Sequence, residues 1–189
     1  MKPISILNDV LGPVMRGPSS SHTAGPFHIG SLARALLGEE PAAVTLVFDP
    51  AGSFAQVYRE QGSDLGFAAG LLGWAITDAR FPRALDLAAE RGLRIAFLVE
   101  PLPEADHPNA VEIRMASASG STLRALAKSI GGGAVVFTRV QDWPVHLTGD
   151  AYDVLVEAAR AAEPSAAGLL ARDGQALGPL ERQERGDKV

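Results

Sequence analysis

The chain contains no cysteine among its 189 residues. This absence excludes disulfide bonds, zinc–thiolate sites and a thiol nucleophile, and it excludes an iron–sulfur cluster whose thiolate ligands all come from this chain. No run of apolar residues reaches the ~18 that a membrane-spanning helix needs. The apolar stretch near the start is interrupted by Asn8 and Asp9 and lacks a signal-peptide core. These absences predict a cytoplasmic protein without a membrane partner.

Positive charge is also scarce. Lys and Arg number 17 against 22 Asp and Glu, which leaves a formal net charge of −5. A nucleic-acid partner is therefore not expected, because binding a polyanion requires a basic surface.

The length predicts about one domain with a short appendage. The hydrophobic fraction of 47% is that of an ordinary globular protein.

Apolar periodicity predicts the order of helices and strands. The spacing of Ile29, Leu32 and Leu36 predicts a helix that ends at Gly38. The β-branched run 43–48 predicts a strand that is buried on both faces. The other predicted elements are a short helix or strand at 4–11, loops at 12–26 and 49–62, helices at 64–74 and 81–91, and strands at 93–99, 111–115, 121–128, 134–140 and 145–147.

Alternation along the second half of the chain predicts how the strands are arranged. Glu112 and Arg114 alternate with apolar residues, which predicts a half-exposed strand. The glycine run 131–133 predicts the turn of a hairpin between the strands on either side. Helices that precede a run of strands favour an α+β fold, a mixed β-sheet with helices packed on one face.

Two parts of the chain differ in composition. Residues 1–149 are predicted to form the main domain and residues 150–189 a short C-terminal extension. Residues 150–162 are apolar enough for one more element, whereas the polar stretch 163–189 is predicted to be a frayed tail.

Five consecutive hydroxyl or imidazole side chains precede the first predicted helix: Ser19, Ser20, Ser21, His22 and Thr23. One interpretation is a helix cap, in which the hydroxyl of Ser21 or Thr23 accepts a first-turn N–H. The other is a binding site, because N–H groups and hydroxyls at a helix N-terminus attract a carboxylate or phosphate. His22 adds a group that titrates near neutral pH and is able to move a proton.

The same segment carries a family resemblance. The string from Gly12 to Gly25 resembles the start of the β chain, or β domain, of bacterial iron–sulfur L-serine dehydratases (L-serine ammonia-lyases). Three further blocks resemble that family in the same order, so the likeness covers about residues 4–149. These blocks are Gly52-Ser53-Phe54-Ala55, Asp106-His107-Pro108-Asn109 and Ser129-Ile130-Gly131-Gly132-Gly133.

The resemblance implies a lyase subunit of amino-acid catabolism and gluconeogenesis that converts L-serine to pyruvate and ammonia. It implies a [4Fe–4S] cluster whose cysteine ligands lie on a separate α subunit, and the lack of cysteine here fits that division. It also implies a fold similar to the allosteric substrate-binding domain of some phosphoglycerate dehydrogenases. This chain is not expected to be active alone, and a homodimer of it is a further option.

The candidate site residues follow from the same blocks. His22 and Gln61 are the candidate catalytic residues, and no metal ligands are assigned to this chain. Gln61 stands where the family has a histidine, and its amide is not a base, which counts against autonomous chemistry. The substrate-binding candidates are Ser19, Ser20, Ser21, Thr23, Ser53 and Asp64.

Two alternatives stay open at this point. Asp64 either orients a partner group or caps the helix that begins there. The whole chain is alternatively a non-catalytic module that binds a small carboxylate or amino acid, or that scaffolds a partner.

Too few residues follow Asp150 for a complete ACT domain, which needs about 60. His28, His107 and His146 are predicted to be structural or surface residues without metal-binding spacing.

Overall fold

A computed structural model describes residues 14–162, 182–185, 188 and 189. The element predicted within 4–11 and most of the predicted tail at 163–189 lie outside the described residues. The chain divides into two compact units, with the boundary between Asp150 and Ala151.

The first unit contains four α-helices and six strands in its described part. The helices are α1 (Ala24–Leu37), α2 (Ser53–Val57), α3 (Ser63–Leu71) and α4 (Ala84–Glu90), the last preceded by a 3-10 turn at Phe81–Arg83. The strands are β1 (Pro41–Phe48), β2 (Arg94–Val99), β3 (Ala110–Ser117), β4 (Thr122–Gly131), β5 (Ala134–Val140) and β6 (Trp143–Leu147).

The strands form one mixed sheet in the order β2-β1-β3-β4-β5-β6. β1 and β2 are parallel, and every other neighbouring pair is antiparallel. Leu46, Ile113 and Ala125 stand side by side in register and belong to the cluster that packs on the helices. The next residue, Val47, points to the opposite face and is also buried. The predicted α+β fold, with a mixed sheet and helices on one face, is confirmed.

Glycine allows α1 and α3 to pack backbone against backbone. A methyl group built on Gly70 would lie 2.2 Å from the carbonyl oxygen of Phe27, and one on Gly30 would lie 2.6 Å from that of Phe67. Because these two glycines have no side chain, the backbone of α3 lies directly against that of α1. This contact holds α1, whose first turn carries the candidate site, in place over the sheet.

Glu112 departs from the prediction of a half-exposed strand. Its side chain is only 3% exposed and lies on the sheet face away from the helices. Arg114 donates to Oε1 at 2.7 Å, and Arg124 and Arg139 donate to Oε2 at 2.7 and 2.9 Å. A carboxylate tolerates this burial because guanidinium groups from three neighbouring strand positions satisfy both of its oxygens.

Other differences from the predicted elements are local. The predicted loop at 49–62 contains α2, a helix of five residues that is too short to show apolar periodicity. Helix α1 already begins at Ala24, inside the predicted loop, and its end at Gly38, which adopts a left-handed conformation with φ 75°, is confirmed.

The second unit has little regular structure in its described part. The element predicted at 150–162 is only a 3-10 turn at Arg160–Ala162. Backbone bridges join Lys188 to Ala159 and to Arg185, and Lys188 forms an ion pair with Glu157 at 2.7 Å.

Candidate active site

The serine-rich segment folds into a tight turn at the start of α1. The carbonyl oxygen of Ser19 accepts the backbone N–H of His22 at 3.2 Å and that of Thr23 at 2.9 Å. The Thr23 hydroxyl donates to the same oxygen at 2.6 Å. Thr23 therefore occupies the N-cap position without capping the helix through its side chain. The predicted hydroxyl cap is wrong, because the hydroxyl points back into the turn and stabilises it.

His22 lies between two serine hydroxyls from different parts of the chain. Its Nδ1 is 3.2 Å from Oγ of Ser19, and its Nε2 is 3.0 Å from Oγ of Ser53. The ring also meets Phe54 edge to face, with 5.4 Å between ring centroids. Burial lowers the pKa of His22 below its ordinary value of 6.5. At neutral pH the ring is uncharged, so one nitrogen donates to a hydroxyl and the other accepts from one.

The four blocks that are separate in sequence come together in the fold. The N–H of Ser53 donates to the Pro108 carbonyl at 2.6 Å, and the N–H of Ser129 donates to the Asn109 carbonyl at 3.1 Å. A methyl group built on Gly25 would lie 2.2 Å from Oγ of Ser129, so β4 lies directly against the first turn of α1. Together with the contact between His22 and Ser53, these contacts join all four blocks.

Sequence reasoning missed two polar residues of this region. Oγ of Ser129 and Oδ1 of Asn109 are buried and find no hydrogen-bond partner among the described residues. The sequence did place both residues inside family blocks, which was the available signal for a functional role. It did not show that their side chains are buried, because that burial depends on the contacts between β3, β4 and α1. Buried oxygens without partners are costly, which makes them points where an added polar group would be stabilised.

Gln61 lies close to the chain that leads into this turn, and Asp64 stands in the first turn of α3. The backbone oxygen of Gln61 lies beside Gly17, 3.6 Å from a methyl group built there. Its side-chain Oε1 is buried and lacks a partner among the described residues. Burial raises the pKa of the Asp64 carboxyl, which accepts the N–H of Leu65 at 2.8 Å. Asp64 is not the helix cap, since α3 begins at Ser63 after the N-cap Gly62.

The other predicted site residues are placed as follows. Ser20 and Ser21 are half-buried in the turn, and the Ser20 carbonyl accepts the N–H of Gly25 at 2.8 Å. His28 Nδ1 lies 2.7 Å from the carbonyl of Gly133, which ties α1 to the hairpin turn.

His107 and His146 have the local positions predicted for them. His107 Nδ1 accepts the N–H of Asn109 within its own turn, and His146 is exposed on β6. The described residues contain no group of three or more His, Asp or Glu side chains that is able to hold a metal ion. With no cysteine in the chain, these residues do not fit a [4Fe–4S] cluster.

Fold and site together define an α+β domain in which four separate blocks meet at the start of one helix, with a histidine held between two hydroxyls. No helix in the described ranges is long and apolar enough to cross a membrane. No family model matches the chain.

Curated relatives do match it. The chain is 39% identical over 148 residues to the probable L-serine dehydratase, beta chain, of Bacillus subtilis (strain 168). It is 33% identical over 149 residues to the L-serine dehydratase, beta chain, of Peptoniphilus asaccharolyticus. These matches cover 78% and 79% of this chain and 66% of each relative. The chain belongs to the family of L-serine dehydratase beta chains.

Proposed function

We propose that this chain is the β subunit of an iron–sulfur-dependent L-serine dehydratase, which converts L-serine to pyruvate and ammonia, in the cytoplasm. The observation that carries the proposal is that the four family blocks contact one another, with His22 held among them by Ser19 and Ser53 through both ring nitrogens. The names of the two relatives support the reaction and, through the word "beta", a second subunit. The proposal assigns the cluster to that cysteine-bearing α subunit, because this chain offers no ligand set for it.

In this proposal His22 acts through the hydroxyls that it touches. An uncharged imidazole accepts a proton from a hydroxyl at one nitrogen while its other N–H is held by the second serine. Either serine is therefore positioned to pass a proton between His22 and a bound amino acid. A bound amino acid must therefore displace one of these hydroxyls from His22 or form a hydrogen bond with it, since both ring nitrogens already have partners.

The other candidate residues have distinct parts in the proposal. Ser20 and Ser21, half-buried at the positive end of the α1 dipole, are suited to a carboxylate. Thr23 is 1% exposed and orients Ser19 rather than contacting the substrate. The proposal assigns Asp64, whose pKa is raised by burial, to the ammonium group of the substrate.

The test is reconstitution with the α subunit. The full chain is co-expressed with a cysteine-bearing α subunit of the same family, purified under anaerobic conditions, and supplied with L-serine while pyruvate is measured. We expect turnover, and a loss of at least ~100-fold in His22→Asn. His146→Asn changes an exposed histidine and is the matched control, with unchanged activity. An iron-replete complex that forms no pyruvate contradicts the proposal.

A second candidate function is a non-catalytic module that binds an amino acid or small carboxylate. Gln61 favours it, because its partly buried amide, whose Oε1 has no partner among the described residues, is able to bind a ligand but not to accept a proton from carbon. Calorimetry of the isolated chain with L-serine separates the two functions. Tight binding without the α subunit, together with no turnover in its presence, selects the module. In that case Gln61→His is the variant expected to gain activity.

A further inference from the structure

Within the part of the chain that the structure describes, strand β2 leaves one side of its backbone unpaired. It is the first strand in the sheet order, and its one neighbour is β1. The opposite edge strand, β6, carries Pro144, which has no N–H to offer. β2 carries no such protection, and its apolar side chains Leu98 and Val99 are 37% and 50% exposed. An open apolar edge of this kind is a template for another strand.

The hydrogen bonds to β1 determine which groups face outward. The N–H of Glu100 donates to the Phe48 carbonyl at 3.0 Å. In a parallel ladder the N–H and C=O of one residue point to the same side, and successive residues alternate. The even-numbered residues of β2 therefore bond to β1, and Ile95, Phe97 and Val99 direct their backbone groups away from the sheet. In the described ranges no backbone hydrogen bond to another segment is formed on that side.

We propose that a second copy of this chain pairs with the outer edge of β2 in antiparallel orientation, with the two-fold axis at Phe97. This register uses every outward residue of the strand, because Ile95 lies opposite Val99 of the copy and Phe97 lies opposite its own equivalent. The two six-stranded sheets then form one continuous sheet, with the helices of both copies on the same face.

The charges at the strand ends select this register. With Phe97 on the axis, Arg94 of each copy stands opposite Glu100 of the other, as a non-hydrogen-bonded pair with Cα atoms about 4.5 Å apart. Both side chains are exposed, and neither forms an ion pair within the part of the chain that the structure describes. Between them Ala96 lies opposite Leu98, which covers exposed apolar surface. The inference is independent of the proposed enzyme activity.

Charge reversal tests the proposal on the full chain. Sedimentation velocity over a concentration series is expected to show a dimer of the unmodified protein. Arg94→Glu places two carboxylate pairs in contact across the axis and is expected to weaken the dimer about tenfold or more. The double variant Arg94→Glu/Glu100→Arg restores the opposite charges and the affinity. Arg91→Glu, an exposed charge reversal outside β2, is the control and leaves the dimer unchanged.

Cross-linking tests the register without relying on affinity. Because the chain has no cysteine of its own, the variant Ala96→Cys/Leu98→Cys is expected to form a covalent dimer on mild oxidation, since these positions face each other across the axis. Arg94→Cys/Leu98→Cys places cysteines opposite each other only in a shifted register and is expected to form no covalent dimer on oxidation. The proposal is overturned if the protein is monomeric at all concentrations or if Arg94→Glu leaves the affinity of the dimer unchanged. It is also overturned if the outer edge of β2 is shielded from solvent only in a complex with a different subunit.

Discussion

Removing the charge of Glu112 is the sharpest test of the packing under the sheet. Four N–H donors from Arg114, Arg124 and Arg139 reach its two oxygens within 2.9 Å. Charge-assisted bonds each contribute ~1.5–3 kcal/mol, but Arg114 and Arg124 are about half exposed and therefore partly screened. Glu112→Gln keeps the shape, loses the charge, and turns an NH2 group towards a guanidinium. We expect a loss of about 3 kcal/mol in the free energy of unfolding.

The stabilisation by Glu112 depends on pH, because its carboxyl must be ionised to bind the three arginines. Burial alone raises the pKa of Glu112, but hydrogen bonds from Arg124 and Arg114 outweigh it, so the folded pKa lies below the ordinary 4.5. The stabilisation is therefore complete above about pH 4.5 and is lost as the pH falls through the folded pKa.

Urea unfolding at pH 7 and at pH 3 measures both effects. The difference between the wild type and Glu112→Gln should be largest at pH 7 and should shrink at pH 3. Glu90→Gln breaks an exposed pair with Arg83 and is the control, with an effect below ~1 kcal/mol. A difference below ~1 kcal/mol for Glu112→Gln, or one that is equal at both pH values, refutes the reasoning.

Three further predictions concern the helices and the turn. Gly70→Ala forces a methyl group to within 2.2 Å of the Phe27 carbonyl oxygen. In urea unfolding it should lower the free energy of unfolding by about 2 kcal/mol, even after its gain in helix propensity, and an unchanged midpoint contradicts the backbone contact. The His22 ring should titrate below 6.5 by NMR because burial lowers its pKa, so stability should fall as the pH drops below about 6.5; a raised pKa contradicts this. Thr23→Val removes the hydroxyl bond to Ser19 and should cost about 1 kcal/mol, whereas Ser21→Ala, the control, should cost less.

Long periodic segments were predictable because their signal is local. Helix α1 and its end at Gly38 follow from apolar spacing and from the need for a left-handed residue. The hairpin across 131–133 follows from its glycines. Helix α2 was missed, since five residues give no period and its position depends on the contact between Ser53 and Pro108.

The composition of the chain by itself determined that no thiolate site is built here, and its four motif blocks indicated the family and the region of the candidate site. Only the tertiary structure decided which side chains meet. The 3.0 Å contact between His22 and Ser53 joins residues 31 positions apart, and burial of Glu112 depends on arginines from three strands. Local sequence governs backbone propensity and turn chemistry, whereas the solvation and the partners of a polar group depend on the segments that the fold places around it.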